Sequence, residues 1–310
     1  MRSTNRFAVA ASSLLVYTLG VVLWGAFVRA SLSGDGCGDH WPLCNGVALP
    51  VEPSTKTIIE LTHRVTSGVC WIWTAVMWFV AVRTFSRGHA TRAAAGWSLF
   101  FMTTEALVGA GLVLFRMVAS NPSTARAAWM AAHLINTFLL LAALTWMALS
   151  AWREGGTRFP REGSLRRAFG AAALAVLLVG VSGAVAALGD TLFPASSLVD
   201  GLRDDLSPTS HVFLKLRLWH PVFAVLASGY LIWLSASLRR RSGATVRRVA
   251  LTLGALVVLQ VGVGLLNVAL LAPVWMQLVH LLFADATWVV LVWLALSSPP
   301  SRSGATLVPS

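Results

Sequence analysis

Residues 127–149 read AAWMAAHLINTFLLLAALTWMAL, a run of 23 residues without a single charged side chain. Because an α-helix rises about 1.5 Å per residue, a run of this length crosses the roughly 30 Å hydrocarbon core of a bilayer. His133 lies near one end of the run. An imidazole in hydrocarbon is costly unless it is paired or bound to a metal, so His133 is also a candidate functional residue.

Seven further apolar runs of similar length predict seven more transmembrane helices. The composition agrees, because 56% of the 310 residues are hydrophobic and 12% are charged, against roughly 25% charged in soluble proteins. We therefore predict an all-α membrane protein with eight transmembrane helices and membrane lipid as its solvent, which excludes a soluble enzyme. The other runs lie near residues 8–29, 57–82, 93–115, 168–188, 215–237, 246–271 and 274–297.

The basic residues indicate the orientation. If the eight runs alternate in direction, 16 of the 24 Lys and Arg residues fall on one side of the membrane and eight on the other. The richer side is predicted to be cytoplasmic. Both termini then lie in the cytoplasm, and the two longest connections, 30–56 and 189–214, lie outside. The net charge of +12 follows from these short basic loops, so we predict no nucleic-acid partner.

A short motif occurs twice: residues 108–112 read VGAGL and residues 261–265 read VGVGL. Each motif precedes an apolar run with a histidine near its outer end. Because each half has an even number of spans, the halves share one orientation and form a parallel repeat. We predict two four-helix bundles, at 1–150 and 165–298, followed by a cytoplasmic tail at 299–310. The glycines of the motif suit close helix packing.

Four of the seven histidines lie near the outer ends of the even-numbered spans. Two histidines from two helices of one bundle suit axial ligation of a haem iron, whereas a structural zinc site needs four ligands. We predict two bis-histidine sites, one in each half. Solvent exposure is expected for His40, His89 and His211, which lie in loops. The four span histidines are His63, His133, His220 and His280.

The acidic residues differ between the halves. Glu60 lies three residues before His63, one helical turn away, whereas Arg217 occupies the matching place before His220. An acid beside one site only indicates chemistry in the first half, although Glu60 can also be an acid favoured by the helix dipole. Two mid-span acids, Glu105 and Asp285, require partners, and structural hydrogen bonds are expected for both.

Two cysteines lie close together in the first outer loop, in the segment Cys37-Gly-Asp-His-Trp-Pro-Leu-Cys44. Outside the cytoplasm thiols oxidise, which favours a local disulfide. Such a bond is either structural or exchanges with other thiols near a redox site. Metal binding through Cys37, His40 and Cys44 is a third reading.

These residues together give a family resemblance: the chain resembles the haem A synthases along essentially its whole length. The likeness rests first on Gly25-Ala-Phe-Val-Arg29, on the Cys37–Cys44 segment followed by Asn45-Gly46, and on Glu60-Leu-Thr-His63-Arg64. It continues through His133 and, in the second half, through Gly189-Asp190-Thr-Leu-Phe193-Pro194, His220 and His280.

The resemblance implies an oxidoreductase that converts haem O to haem A by oxidising a ring methyl to a formyl group. Two successive hydroxylations, with oxygen from water, give a geminal diol that loses water. The implied ligands of a resident haem b are His220 and His280, whereas His63 and His133 face the haem O substrate and Glu60 is required for turnover. The candidate propionate contacts are Arg29, Arg64, Lys215 and Arg217.

The chain departs from the family pattern at two places. Residues 189–214 contain no second cysteine pair, and Pro221 follows His220 where many relatives have arginine.

The alternatives are a di-haem cytochrome that carries electrons without modifying haem, and a transporter built from parallel repeats. The expected partners of the synthase are a haem O synthase, an unidentified electron acceptor and a second copy of the chain.

Overall fold

The computed structural model describes residues 2–153, 156–160, 162–241 and 243–298. Ten helices form within these ranges, and the described residues contain no strand beyond an isolated bridge between Cys44 and Val47. The helices are α1 (Arg2–Ala30), α2 (Thr55–Thr84), α3 (Ala90–Leu114), α4 (Thr124–Ala151), α5 (Gly163–Leu192), α6 (Leu198–Leu206), α7 (Val212–Arg217), α8 (Trp219–Arg241), α9 (Ala244–Ala269) and α10 (Val274–Ser297).

The prediction of eight membrane-spanning helices is confirmed. Eight helical stretches in the described residues are long and apolar enough to cross a bilayer, with α7 and α8 counted together as one stretch. Each predicted run coincides with one of these stretches, and only the runs 93–115 and 246–271 extend one or two residues past the end of theirs. The predicted tail at 299–310 falls outside the described residues.

Several spans begin at a polar residue that caps the helix. The hydroxyl of Ser54 accepts a hydrogen bond from the amide of Thr57 at the start of α2, and Ser123 does the same for Arg126 at the start of α4, both at 3.2 Å. His89 and His211 lie in loops, as expected, and are partly exposed, and their Nδ1 atoms cap α3 and α7. An N-cap side chain satisfies a backbone N–H that lacks a partner within the helix.

The predicted span at 215–237 is not a single helix, because the structure ends α7 at Arg217 and begins α8 at Trp219. Pro221 explains the break. Its ring has no N–H and collides with the carbonyl four residues earlier, which is that of Arg217. His220 therefore lies directly after a break and close to the start of α8.

The second long connection contains a helix that the apolar runs did not predict. Ser197 caps α6 by accepting a hydrogen bond from Asp200 N–H at 3.1 Å. With nine residues, α6 is too short to register as a membrane span. Its exposed apolar side chains are Leu198, Val199, Leu202 and Leu206.

Each half of the chain packs mainly within itself. In the first half α1 contacts α2 and α4, and α3 contacts α2 and α4; in the second, α5 contacts α8 and α10, and α9 contacts α8 and α10. The halves meet where α10 contacts α4 and α1, and where α5 contacts α4. Trp288 on α10 stacks on Phe138 of α4 at 5.2 Å and donates to its carbonyl at 2.7 Å. The parallel duplication itself stays a prediction.

Candidate functional site

Each of the four span histidines lies against a glycine on the preceding membrane helix. A Cβ built on Gly25 of α1 would lie 2.8 Å from Cε1 of His63, and one on Gly183 of α5 would lie 2.9 Å from Cε1 of His220. Any side chain at these positions would push the imidazole away. We did not predict this role for either glycine, since a Gly–His contact joins residues that are far apart in sequence.

The glycines that contact His133 and His280 belong to the repeated motif. The first glycine of the motif makes the contact in one half, and the second glycine makes it in the other. Cε1 of His133 lies 3.7 Å from a Cβ built on Gly109, and Cε1 of His280 lies 3.0 Å from one built on Gly264. The second glycine of the first motif, Gly111, packs instead against the indole of Trp129, 2.7 Å from its Cβ position. The predicted close packing is therefore present at three of the four motif glycines and includes two candidate ligands, whereas no described atom lies within 4 Å of the Cβ position of Gly262.

The structure brings the second predicted histidine pair together, since the rings of His220 and His280 have centroids 6.4 Å apart and planes at 87°. The first pair lies on α2 and α4, which both pack against α1. The Nδ1 atoms of His63, His133 and His280 are buried without a hydrogen-bond partner among the described residues, whereas His220 Nδ1 lies 3.1 Å from the hydroxyl of Ser182.

Glu60 is 3% exposed, and both of its carboxylate oxygens have partners. Oε2 accepts a hydrogen bond from the main-chain amide of Cys37 at 2.8 Å, and Oε1 accepts from Nη2 of Arg64 at 2.5 Å. Nη1 of Arg64 donates to the carbonyls of His40 and Leu43 at 2.6 and 2.7 Å. Glu60 is therefore fixed to the Cys37–Cys44 segment, directly through Cys37 and indirectly through Arg64.

Cys37 and Cys44 form a disulfide, as predicted, and Cys70 is a buried free cysteine. The loop rests on the start of α2, where the hydroxyl of Thr57 donates to the carbonyl of Gly36 at 2.8 Å. A Cβ on Gly36 would lie 2.4 Å from the backbone of Lys56, so only glycine allows this approach. The disulfide excludes metal binding through both thiolates.

A surface ion pair holds the same loop to the end of α3. Nη2 of Arg116 donates to Oδ2 of Asp39 at 2.5 Å, and this hydrogen bond lowers the pKa of the Asp39 carboxyl below its usual value. Both side chains are exposed, so the pair contributes little to stability.

Arg29 links the two halves. From the end of α1 it donates to the carbonyl of Ala187 at 2.9 Å and to the hydroxyl of Thr191 at 3.0 Å, both on α5. It also donates to Oε1 of Gln277 on α10 at 2.9 Å. Its predicted contact with a propionate stays a prediction, and its structural role was not foreseen.

Arg217 is bound by two acids. It donates to Asp190 of α5 and to Asp205 of α6, each at 2.6 Å. Lys215, by contrast, is exposed and donates to the carbonyl of Pro208 at 2.6 Å. The position that matches Glu60 in the second half thus carries an arginine whose charge is already compensated.

The two mid-span acids differ. Glu105 has the hydrogen bonds that we predicted, from Asn136 and Thr137, and its Oε1 lies 3.5 Å from Nδ1 of His133. The prediction was wrong for Asp285, which is fully buried and whose oxygens have no partner among the described residues. It lies one turn before Trp288, on the face of α10 that packs against α4.

The chain matches one known protein family over most of its length. A family model described as cytochrome oxidase assembly protein, COX15-CtaA, matches residues 8–292, a range that includes the four histidines, Glu60 and the disulfide loop. The chain belongs to the COX15-CtaA family. The predicted family resemblance is thereby confirmed.

The relatives of this COX15-CtaA chain carry two different names. Proteins from two strains of Thermus thermophilus, each named protoheme IX farnesyltransferase, are 45% identical over 300 residues, which is 95% of this chain and 48% of each relative. The heme A synthase of Bacillus mycoides is 40% identical over 97 residues, or 31% of each chain. The chain spans about half the length of the Thermus relatives.

The donor sets of this COX15-CtaA chain fit haem. Imidazoles held against glycines could present Nε2 to an iron, and each pair would supply two nitrogen ligands to a haem. Within the described residues no three His, Cys, Asp or Glu side chains come together as a metal cluster, so a four-ligand zinc site finds no support there.

Proposed function

We propose that this chain is a haem A synthase, which oxidises a ring methyl of haem O to a formyl group. The observation that carries the proposal is the asymmetry between the two histidine pairs. Beside His63 lies the buried acid Glu60, held by an arginine and a main-chain amide. At the matching position before His220 lies Arg217, which is bound by two aspartates. A simple electron carrier has no need of an acid at one site only.

In the second half, His220 and His280 would hold a resident haem b. A bound haem of this kind supplies an iron that gains and loses single electrons. The role of the protein is to fix the ligands. Ser182 contacts Nδ1 of His220, and glycines on α5 and α9 let both imidazoles approach closely. Such contacts orient a ligating ring and set its tautomer.

In the first half, His63 and His133 would bind the iron of the substrate, and Glu60 would act as general base towards water. Each hydroxylation takes its oxygen from water and releases two protons and two electrons, the electrons passing to an acceptor in the membrane. A second hydroxylation followed by loss of water gives the formyl group. Arg64 and the Cys37 amide keep the Glu60 carboxylate in place, and a positioned base typically contributes 10²–10⁴-fold to the rate.

The names of the Thermus relatives indicate which enzyme would supply haem O to this chain. They are named farnesyltransferases acting on protoheme IX, and about half of their length aligns with this chain. Farnesylation of protohaem is the class of reaction that supplies haem O. We therefore propose a haem O synthase as the partner that delivers the substrate, in a bacterial cell membrane with the disulfide loop outside and both termini in the cytoplasm.

Co-expression with a haem O synthase, in a bacterial host that lacks its own haem A synthase, tests the proposal. Haems extracted from the membranes are separated by chromatography. After growth in ¹⁸O-labelled water, the source of the oxygen is measured in the alcohol intermediate, because a formyl oxygen exchanges with water and an alcohol oxygen does not. The expected result is haem A, together with an alcohol intermediate that carries the label. If haem b accumulates in the purified protein while haem O stays unchanged, the chain is an electron-carrying cytochrome and the proposal is wrong.

A further inference from the structure

Glu105 is an acid within the membrane that the reaction described above does not use. Its Oε1 lies 3.5 Å from Nδ1 of His133, within ion-pair distance but outside hydrogen-bond geometry. Asn136 donates to Oε2 at 2.6 Å, and the hydroxyl of Thr137 donates to Oε1. Asn136 and Thr137 lie one turn after His133 on α4, so one face of this helix carries the histidine and both groups that hold the acid.

The groups that hold Glu105 are themselves fixed. The hydroxyl of Thr104 donates to Oδ1 of Asn136 at 2.6 Å, and Nδ2 of Asn136 also donates to the carbonyl of Phe101 at 2.9 Å. The same Thr137 hydroxyl lies 2.9 Å from the carbonyl of His133, so its single proton is shared between this carbonyl and Glu105. A polar network of this kind in hydrocarbon places the carboxylate at one position, rather than leaving it free to swing towards the lipid.

The second half has a neutral group at the corresponding place. Glu105 lies four residues before the glycine that packs against His133, and Gln260 lies four residues before the glycine that packs against His280. Nε2 of Gln260 lies 3.4 Å from Nε2 of His280, whereas Glu105 faces Nδ1 of His133. One histidine pair therefore has an acid behind a ring, and the other has an amide at the opposite ring nitrogen.

We propose that Glu105 is a positioning residue for His133. With His133 Nε2 on the iron of the substrate haem, the carboxylate accepts the Nδ1–H and fixes the orientation of the imidazole; this inference rests on the proposed function. Hydrogen bonds that are long without a ligand often tighten when it binds. A carboxylate behind a ligating imidazole makes the ligand more basic and favours the more oxidised iron. Gln260 is uncharged and does not raise the basicity of His280 in this way.

The test uses the purified full chain, reconstituted with ferric haem b as the probe. The haem of the first half is identified as the signal lost in His63→Ala. In Glu105→Gln we expect the affinity for this haem to fall 10–100-fold. At the potential where the wild-type haem is half reduced, the ratio of ferrous to ferric iron should rise about tenfold, equivalent to 59 mV for a one-electron couple. Its low-temperature EPR spectrum should shift as well.

The matched control is Asp285→Asn, which neutralises the other mid-span acid and should leave the potential and spectrum of this haem unchanged. Glu105→Asp withdraws the carboxylate by one methylene and serves if Glu105→Gln does not fold; we expect a smaller shift in the same direction. A first-half haem with wild-type affinity, potential and EPR spectrum in these variants overturns the role of Glu105 and leaves the proposed function standing. If His63→Ala removes no haem from the wild-type complement, the assignment of the first-half site fails as well.

Discussion

The main-chain amide of Cys37 donates a hydrogen bond to Oε2 of Glu60 across 2.8 Å. One of the two disulfide cysteines therefore holds the buried acid directly. Arg64 reinforces this connection, because it binds the other carboxylate oxygen and two carbonyls of the same loop. The loop and the acid form a single unit, so a change in either is expected to reach the other.

Replacing Glu60 by Gln should lower the formation of haem A by 10²–10⁴-fold, because an amide cannot accept a proton from water. The amide also has one acceptor oxygen for two donors, so either Cys37 N–H or Arg64 loses its partner. Haem b should remain, since its proposed ligands lie in the other half. The ratio of haem A to haem O and its alcohol in membranes, at equal protein level, measures the effect.

The control for this variant is Glu52→Gln, an exposed acid of the same loop, which should behave as wild type. Undiminished haem A in Glu60→Gln would mean that Glu60 only stabilises the start of α2 and the loop.

Replacing Gly25 by Ala should disable the first-half site selectively. The new methyl would lie 2.8 Å from Cε1 of His63, closer than side chains approach one another, so the imidazole must move. Gly20→Ala is the matched control on the same helix, because no atom of the described residues lies within 4 Å of its Cβ position. Conversion of haem O and the content of haem b are measured in both variants. Equal conversion in the two would show that the Gly25–His63 contact does not matter for function.

His220→Ala and His280→Ala should each abolish the bound haem b, because one protein ligand would remain on the iron. The exposed loop residue His40 provides the control, as His40→Ala removes an imidazole without touching either pair. Optical spectra of the purified variants decide the matter. An unchanged six-coordinate haem b spectrum in both variants would contradict the assignment.

The double variant Cys37→Ser/Cys44→Ser should unfold more easily and make less haem A. Opening a loop of this size removes about 2–3 kcal/mol on the chain-entropy estimate, and the freed loop no longer holds the Cys37 amide against Glu60. Cys70→Ala controls for loss of a thiol elsewhere, since Cys70 is buried and unpaired with another cysteine. Thermal unfolding in detergent and haem A content are compared. Wild-type haem A in the double variant would separate the disulfide from catalysis.

The sequence alone determined the spans, the candidate ligands and the loop disulfide. Each depends on local properties: the length of an apolar run, the position of a histidine within it, or two cysteines seven residues apart. The length of an apolar run failed to predict the helices at two places. Pro221 split one predicted span, and the short helix α6 was too brief and too amphipathic to register as an apolar run.

Only the tertiary structure decided which polar groups meet. Arg29 binds Thr191 and Gln277, which lie 162 and 248 residues further along the chain, and Glu105 reaches His133 from a neighbouring helix. In hydrocarbon a polar side chain must find its partner on another helix, and that partner depends on how the helices are rotated and spaced. The hydropathy of a span does not predict how its helix is rotated against its neighbours. The contacts that hold the candidate site therefore emerge only when the helices are packed.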